Sequence, residues 1–408
     1  MTGSRLDRCY PWLVVAASLA MIVVGQGIQF VLAVSLKPIA AELGWGRGVP
    51  STAYALSFIG AGIGALYLGH LSDRVGMGPV SALGAVMIGS GAMLVSQVSQ
   101  PWHLYLIYAV MIGLLGNATI FAPLMANTTR WFERRRGIAL GIVASGQSLG
   151  GTIWPPLAER FNAWFGWRDS FFWYGVMAIA VMSLMTLILK RRAPGHADPQ
   201  AAAAQGVPRG KRVLGWPPAL VTAMLCAAIV GCCVPMSLPL VHLVAYGTDL
   251  GYSPAAAASL LSVALATSFV SRVGGGALAD RIGGLRTLFI GSAIQASMLA
   301  ALSVARDLTS LYAICAIFGL GYGGIIAMYA YIAREYFPPN AIGRRIAVIY
   351  LFGTIGMAMG GYLGGVIHDR LGDYSVAFLI GALFNTANLC LIGMLIWRAH
   401  FRRAAAAA

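Results

Sequence analysis

Charged residues are scarce in this sequence of 408 residues: Asp, Glu, Lys and Arg make up only 10% of it, against 59% hydrophobic residues. A soluble domain carries about 25% charged residues, so the composition excludes an ordinary soluble protein. Acidic residues are the rarest, 13 against 28 Lys and Arg, which gives a formal net charge of +15. The basic residues fall almost entirely in short segments between apolar runs, which argues against a nucleic-acid-binding protein. The sequence therefore indicates a multi-pass membrane protein.

Groups that could hold a metal or carry out catalysis are also few. The six cysteines show no spacing typical of metal ligands, and most lie in apolar runs, where a thiol packs as a small core residue. None of the 13 carboxylates falls in the middle of an apolar run, and no nucleophile with a nearby base stands out. We therefore expect no enzyme activity, no metal and no cofactor.

Long apolar runs are what the sequence has in abundance. A membrane-spanning helix needs about 20 mostly apolar residues, and twelve such runs can be marked, with breaks at segments rich in Gly, Pro, Asp and Asn. They cover residues 12–36, 49–71, 79–98, 102–126, 137–158, 170–190, 216–246, 254–279, 285–304, 309–333, 342–366 and 375–398. We expect the fifth helix to end near the outer membrane surface at Trp154, Pro155 and Pro156.

Basic residues are distributed unevenly among the segments that connect these runs. With the N-terminus in the cytoplasm, the cytoplasmic segments hold 21 of the 28 Lys and Arg residues and the outside segments hold 6. Cytoplasmic loops of membrane proteins carry such an excess of Lys and Arg. The sequence therefore predicts that both termini are cytoplasmic and that the lipid bilayer is the chain's main surroundings.

The two parts of the chain repeat each other. The segment "GHLSDRVG", residues 69–76, follows the second predicted helix, and "GALADRIG", residues 276–283, follows the eighth, 207 residues later. We therefore predict an all-α membrane protein of twelve transmembrane helices in two six-helix bundles. The bundles cover residues 1–192 and 215–408, and a cytoplasmic linker, residues 193–214, joins them. This is a transporter architecture with the site between its halves.

At this repeated loop the chain resembles the major facilitator superfamily. The residues that match its signature are Gly69, Leu71, Ser72, Asp73, Arg74 and Gly76 in the first copy, and Gly276, Leu278, Ala279, Asp280, Arg281 and Gly283 in the second. The resemblance implies a conformational latch made by Asp73, Arg74, Asp280 and Arg281, in which carboxylates pair with arginines in one state of the transport cycle. Met77 and Gly78 stand where the superfamily usually has two basic residues, which predicts a weaker latch.

Within that superfamily the chain is similar to a bacterial branch related to monocarboxylate transporters and oxalate/formate exchangers. The segments that carry this similarity are "ELGWGRG" (42–48), "RWFERRRGIALGI" (130–142), "GWRDSFFWYG" (166–175) and "HLVAYGTDLGYSPAAAASLLS" (242–262). The similarity implies a bacterial cytoplasmic membrane and a carboxylate bound by Arg272. Proton-coupled members have an aspartate where this chain has Ser268, and oxalate exchangers have a lysine in the eleventh helix, where this chain has none.

Arg272 also stands out by its position inside the eighth apolar run, because a charge at that depth is costly in hydrocarbon. The equivalent position of the first repeat is Ala65, so the fold itself does not need an arginine there. A guanidinium suits a carboxylate because it offers two parallel donors. A side chain that bends towards the cytoplasm, or that pairs with the acids of the latch, is the alternative interpretation.

Uncharged polar residues near the middle of the predicted membrane are further candidates for binding substrate. They are Gln29, Asn117, Gln147, Tyr322, Tyr350 and Thr354. Amide side chains also hold membrane helices together by hydrogen bonds, so each of them has a structural alternative. A histidine side chain ordinarily titrates near neutrality, so His242 is a candidate for a proton-linked role, but a structural hydrogen bond near Pro235 and Pro239 explains it equally well.

The sequence thus predicts a secondary transporter that moves a small organic anion, a monocarboxylate, by alternating access. A proton or a counter-anion is the predicted coupled partner, and the transporter is expected to work as a monomer. A drug/proton antiporter of the same superfamily is the first alternative, although Gln147 stands where such proteins usually have proline. A transporter-like nutrient sensor is the second, although such sensors usually carry a large extra cytoplasmic domain.

Overall fold

The computed structural model of the protein describes residues 5–132, 136–191, 213–337 and 342–407. In these ranges the chain is helical, and its one β-type pairing is a bridge between Val213 and Trp216. We call the described residues from 5 to 191 the first half and those from 213 to 407 the second half. Most of the predicted linker, residues 193–214, lies outside the described residues.

The first half consists of seven α-helices and one π-helix. They are α1 (Arg5–Leu43), α2 (Gly48–Val75), α3 (Met77–Val95), α4 (Pro101–Leu106), π1 (Ile107–Asn117), α5 (Ala118–Trp131), α6 (Arg136–Ala144) and α7 (Gly146–Leu189). Helices α1 and α3 pack mainly on α7, and α2 packs on π1. The π-helix continues α4 into α5, so these three elements form one path through the bundle.

The second half consists of seven α-helices. They are α8 (Pro218–Asp249), α9 (Pro254–Ile282), α10 (Gly284–Val304), α11 (Leu308–Tyr322), α12 (Ile325–Tyr336), α13 (Ile342–Leu371) and α14 (Ser375–Ala407). Helix α8 packs mainly on α13 and α14, while α9 packs on α11. A helix saturates its own backbone hydrogen bonds, which is why long apolar segments of this kind are stable in lipid.

Eleven segments of the described chain are long and apolar enough to cross a membrane. The longest of them, Ile138–Leu189, has 52 residues and measures roughly 78 Å at about 1.5 Å per residue, more than twice the ~30 Å of a bilayer core. Its backbone is broken at Gly166, where φ is +79°, a conformation that costs glycine little. This break lies between the fifth and sixth predicted helices.

The fifth predicted helix does not end at Trp154, Pro155 and Pro156, so that expectation is wrong. Helix α7 continues through both prolines to the break at Gly166. Neighbouring helices make prolines tolerable inside membrane helices, and here α7 packs closely against α1 and α3. Trp154 takes part in the contact with α1. Its indole N–H donates to the carbonyl oxygen of Val23 at 2.8 Å. Trp154 is therefore a packing residue between α1 and α7.

The two halves meet through three helix pairs: α2 with α13, α7 with α9, and α1 with α8. Glycines of α13 allow the closest approach, because a side chain at Gly361 would strike the ring of Tyr54 and one at Gly365 would strike Ser51. All these contacts lie towards the end of the bundle opposite the chain termini. We call this the far end, and the end that carries the termini the terminal end.

The halves are separated at the terminal end. Among the described residues, no atom lies within 4 Å of a Cβ built on Gly69 of α2, or on Gly274 or Gly276 of α9. Tyr67, on the same part of α2, is 72% exposed. In this conformation the space between the halves is therefore closed at the far end and open at the terminal end.

Candidate functional site

Arg272 lies on α9, where the contact between α9 and α7 ends. Its Nη2 donates to Oε1 of Gln147 at 3.0 Å, and its Nη1 donates to the carbonyl oxygen of Ala144 at 3.4 Å. Both acceptors belong to the first half, so Arg272 reaches across the interface. It does not bend towards the acids of the latch: among the described side chains, none gives it a carboxylate partner within ion-pair distance.

The guanidinium of Arg272 retains donors that the protein does not use. Its Nε is buried and has no hydrogen-bond partner among the described residues. Arginine offers five N–H donors in a planar fork, and among the described residues two protein oxygens accept from it. The arrangement can therefore accept a carboxylate, whose two oxygens match that fork.

Two further contacts between α7 and α9 lie between Arg272 and the far end. The hydroxyl groups of Ser148 and Ser268 are 2.9 Å apart and fully buried, and Gly151 packs against Leu265 one turn further on. Residue numbers rise on α7 as they fall on α9, so the two helices run antiparallel. Arg272 therefore lies on the terminal-end side of these buried contacts.

On the other side of the interface, Thr354 of α13 faces α2. Its Oγ1 would lie 2.9 Å from a Cβ at Gly62, while its hydroxyl donates to the carbonyl oxygen of Leu351 at 2.7 Å. Among the predicted site residues, Thr354, Gln147 and Arg272 therefore lie where the halves meet. Gln147 and Arg272 contact each other directly.

The other predicted polar residues bond mainly within one half. The amide of Gln29 donates to Ser57 at 2.8 Å, and the hydroxyl of Tyr350 donates to the carbonyl oxygen of Ile326 at 3.2 Å. Tyr322 is buried, with its ring stacked on Phe318. These contacts fit the alternative in which such side chains hold helices together. Gln29 nevertheless keeps a buried Oε1 without a partner among the described residues.

Asn117 lies at the last position of π1, with a buried side chain whose Oδ1 has no partner among the described residues. The π-helix itself was not predicted from the sequence. Its wider turn is typical of functional sites in membrane and soluble helices. Asn117 is therefore an acceptor that the first half leaves unpaired.

His242 is fully buried in α8. Its Nε2 lies 2.9 Å from the carbonyl oxygen of Gly361 on α13, and its ring packs on Tyr374 at 5.0 Å. Its Nδ1 has no partner among the described residues. Since a side chain at Gly364 would also collide with this ring, His242 fits closely between two helices of the second half.

The residues of the predicted latch lie at the terminal end. Asp280 accepts a hydrogen bond from Tyr331 at 3.2 Å, inside the second half, and Arg74 and Arg281 are exposed. The side chain of Asp73 lies outside the described residues. Among the described side chains, no ion pair joins the latch residues across the interface.

An ion-pair cluster that was not predicted lies at the far end. Arg47 and Lys37 of the first half bind the carboxylate of Asp249 in the second half. Burial alone would lower the pKa of the Arg47 guanidinium, but its hydrogen bond to Asp249 and its contact with Tyr374 raise that pKa above the ordinary value. Arg47 and Asp249 are more than 200 residues apart, so their ion pair leaves no local pattern in the sequence. The one indication was that Arg47 belongs to "ELGWGRG", a segment that carries the family similarity.

Comparisons with known proteins agree with this architecture. The sequence profile of the family described as Major Facilitator Superfamily matches residues 15–301 and 223–407. Monocarboxylate transporter 13 of Bos taurus is 27% identical over 384 residues, which cover 92% of this chain and 84% of that protein. Monocarboxylate transporter 3 of Rattus norvegicus is 28% identical over 397 residues, covering 92% and 77%.

Solved structures share the fold at much lower identity. A bacterial homolog of the human lysosomal transporter Spinster, in an inward-facing and occupied conformation, matches with a TM-score of 0.73 and 16% identity. That match covers 99% of this chain and 98% of the other. A mutant of the nucleoside transporter NupG matches with a TM-score of 0.73 and 13% identity over 94% and 99% of the two chains.

Proposed function

Because this chain belongs to the Major Facilitator Superfamily, we propose that it carries a small organic monocarboxylate by alternating access. The chain is a multi-pass membrane transporter and not an enzyme. The proposal concerns the class of substrate, the residues that bind it and the way it crosses. It places the protein in the cytoplasmic membrane of a bacterium, as a monomer with twelve membrane helices and both termini inside.

The observation that carries the proposal is the environment of Arg272. A part-buried guanidinium whose two hydrogen-bond partners among the described residues are neutral is suited to one carboxylate. Arg345 of α13 donates to the carbonyl oxygen of Pro218 at 3.0 Å, within its own half, and is therefore not offered as a second cation for a dicarboxylate. Relatives named as monocarboxylate transporters support the same substrate class.

Arg272 also links substrate binding to the movement of the halves. In the present conformation its guanidinium spans the interface to Gln147 and Ala144. A carboxylate that binds to these donors displaces the hydrogen bonds from Arg272 to Gln147 and Ala144. The contact between α9 and α7 is then weaker, and Arg272 is bonded to the substrate. Differential binding of this kind is what a ligand needs in order to shift a conformational equilibrium.

Three modes of coupling fit this site: proton symport, exchange of anions and facilitated movement. Position 268, one turn from Arg272, holds a serine that bonds to Ser148 and not a carboxylate that could take up a proton. A proton that accompanies the substrate would therefore travel on the substrate's own carboxyl group, or on another acceptor such as His242.

The experiment that tests the proposal is uptake of a panel of labelled acids into proteoliposomes. Acetate, lactate, pyruvate and benzoate are offered together with a dicarboxylate, a sugar and a cationic drug, with and without a pH gradient. We expect saturable uptake of at least one monocarboxylate that Arg272→Gln abolishes. Uptake of the drug or sugar alone would contradict the proposal, and the response to the pH gradient separates symport from exchange.

A further inference from the structure

The far end of the first half holds a carboxylate of the second half between two cations. Arg47 Nη2 and Lys37 Nζ each lie 2.8 Å from Oδ1 of Asp249, and Arg47 Nη1 bonds to the other oxygen of the same carboxylate. The guanidinium therefore grips both oxygens of Asp249, in the bidentate geometry that arginine forms with carboxylates. With 14% of its side chain exposed, Arg47 is the more enclosed of the two cations, since Lys37 is 41% exposed.

A second carboxylate of the second half is bound next to the first. Both oxygens of Asp369 accept backbone N–H groups at 2.7 Å, one from Arg47 and one from Gly48. These amides form the N-terminus of α2, a helix of 28 residues, where unpaired N–H groups and the helix dipole favour an anion. The first half thus has two adjoining carboxylate-binding sites at its far end. Asp249 of the second half occupies one and Asp369 occupies the other.

Opening of the far end separates these partners. Alternating access requires α2 to move away from α13, and Asp249 and Asp369 then leave together with the second half. The first half keeps Arg47, Lys37 and the N-terminus of α2. Glu42, another acid near this end of the first half, stays with Arg168 of its own half, at 2.8 Å. In the open state, the far end of the first half therefore exposes the cationic donors of Arg47 and Lys37 without Asp249 and Asp369.

We propose that these donors form a second substrate site, at which an entering carboxylate binds in place of Asp249 and Asp369 before it reaches Arg272. The groups that hold a protein carboxylate here are chemically suited to a substrate carboxylate. When the halves close again, Asp249 and Asp369 return to these donors and displace the anion towards Arg272. This inference rests on the proposed function, because it needs an anionic substrate and alternating access.

Two variants that break the same ion pair separate this entry site from a simple gate. Asp249→Asn loosens the far end and leaves both cations free to bind substrate. Arg47→Gln loosens the far end as well but removes the main donor. A simple gate predicts the same change in both variants, whereas an entry site predicts that the two differ.

The measurement is the substrate concentration for half-maximal uptake from the far side, in vesicles of uniform orientation. The probe is whichever of labelled acetate, lactate, pyruvate and benzoate the wild type carries fastest. We expect the half-saturating concentration to be about three- to tenfold higher for Arg47→Gln than for Asp249→Asn, as for loss of a partly exposed charged contact. Glu42→Gln, which breaks an ion pair within one half, is the control and should match the wild type.

Equal half-saturating concentrations in Arg47→Gln and Asp249→Asn would overturn the entry site and leave only a gate. If either variant fails to insert, Lys37→Gln and Asp369→Asn provide the same contrast, since one removes a donor and the other frees one. Failure of the proposed function gives a different result, because the wild type would then carry none of the four acids.

Discussion

Arg272 donates to one side-chain amide and one backbone carbonyl of the opposite half, and both acceptors are neutral. A neutral partner leaves the positive charge uncompensated, so an incoming carboxylate gains the full charge–charge attraction. Gln147 fits this role because its amide oxygen accepts from Arg272 without neutralising it. Under the proposed function, the chemistry of this pair as well as its position therefore suits an anion.

Gln147→Glu is expected to block substrate binding, because the new carboxylate would lie about 3 Å from Arg272 and occupy its donors in place of the substrate. We expect carboxylate affinity to fall by about tenfold or more, with a melting temperature at or above that of the wild type. Isothermal titration of the purified protein measures the first and a thermal scan the second.

The control for that variant is Gln97→Glu, which makes the same chemical change at an exposed turn of the far end. It should bind carboxylate as the wild type does. Unchanged affinity in Gln147→Glu would show that the substrate does not need the donors that face Gln147.

At the scale of helices, the interface between α2 and α13 depends on glycine. Gly361 and Gly365 let α13 contact α2 at the far end, whereas Gly69 of α2 faces open space at the terminal end. If the halves rock about the middle of the bundle, the same helices must approach at the terminal end in the opposite state. Glycines at both ends are then needed, each in one state.

Gly361→Val and Gly69→Val are therefore expected to stop transport in opposite states. The first keeps the far end from closing and the second keeps the terminal end from closing, so both should lower exchange rates by about tenfold or more. The state is read from labelling of Thr354→Cys by a membrane-impermeant maleimide, after the exposed Cys9 and Cys390 are replaced by serine.

Labelling should increase from the far side in Gly361→Val and should occur only from the terminal side in Gly69→Val. Gly393→Val, at a site of ordinary packing inside the second half, is the control and should transport normally. Labelling from the same side in both variants would rule out a rocking movement about the middle of the bundle.

Much of this architecture follows from the sequence, because lipid requires long apolar helices and their lengths can be counted. The inward position of Arg272 was also predictable, since a charged side chain inside an apolar run almost always faces the bundle interior. The continuation of α7 through Pro155 and Pro156 was missed because the sequence does not show how closely α7 packs against α1 and α3. The π-helix at Ile107–Asn117 and the contacts of Asp249 depend on packing between distant segments, which local patterns do not encode.

At the scale of the whole molecule, the ends of the bundle differ in charge and in contact. The cluster around Asp249 joins the halves at the far end, while Arg74 and Arg281, described basic residues of the segments predicted to be cytoplasmic, lie towards the terminal end. A reporter fused near Gln205, outside the described residues, should therefore report a cytoplasmic position, because 21 of the 28 Lys and Arg residues are assigned to that side. Phosphatase and fluorescent-protein fusions measure this directly, and an active periplasmic phosphatase at that site would reverse the assigned orientation.

The central claim, a transporter that recognises a carboxylate through Arg272, is tested most directly by carboxylate binding to three purified proteins. Wild type, Arg272→Lys and Arg272→Gln are compared after their thermal stabilities have been matched. We expect the glutamine variant to lose about 2–5 kcal/mol of binding free energy and the lysine variant to recover only part of it, since an ammonium lacks the planar fork. Both variants should insert and fold, because Ala65 occupies the equivalent position of the first repeat. Near wild-type affinity in Arg272→Gln would contradict the account.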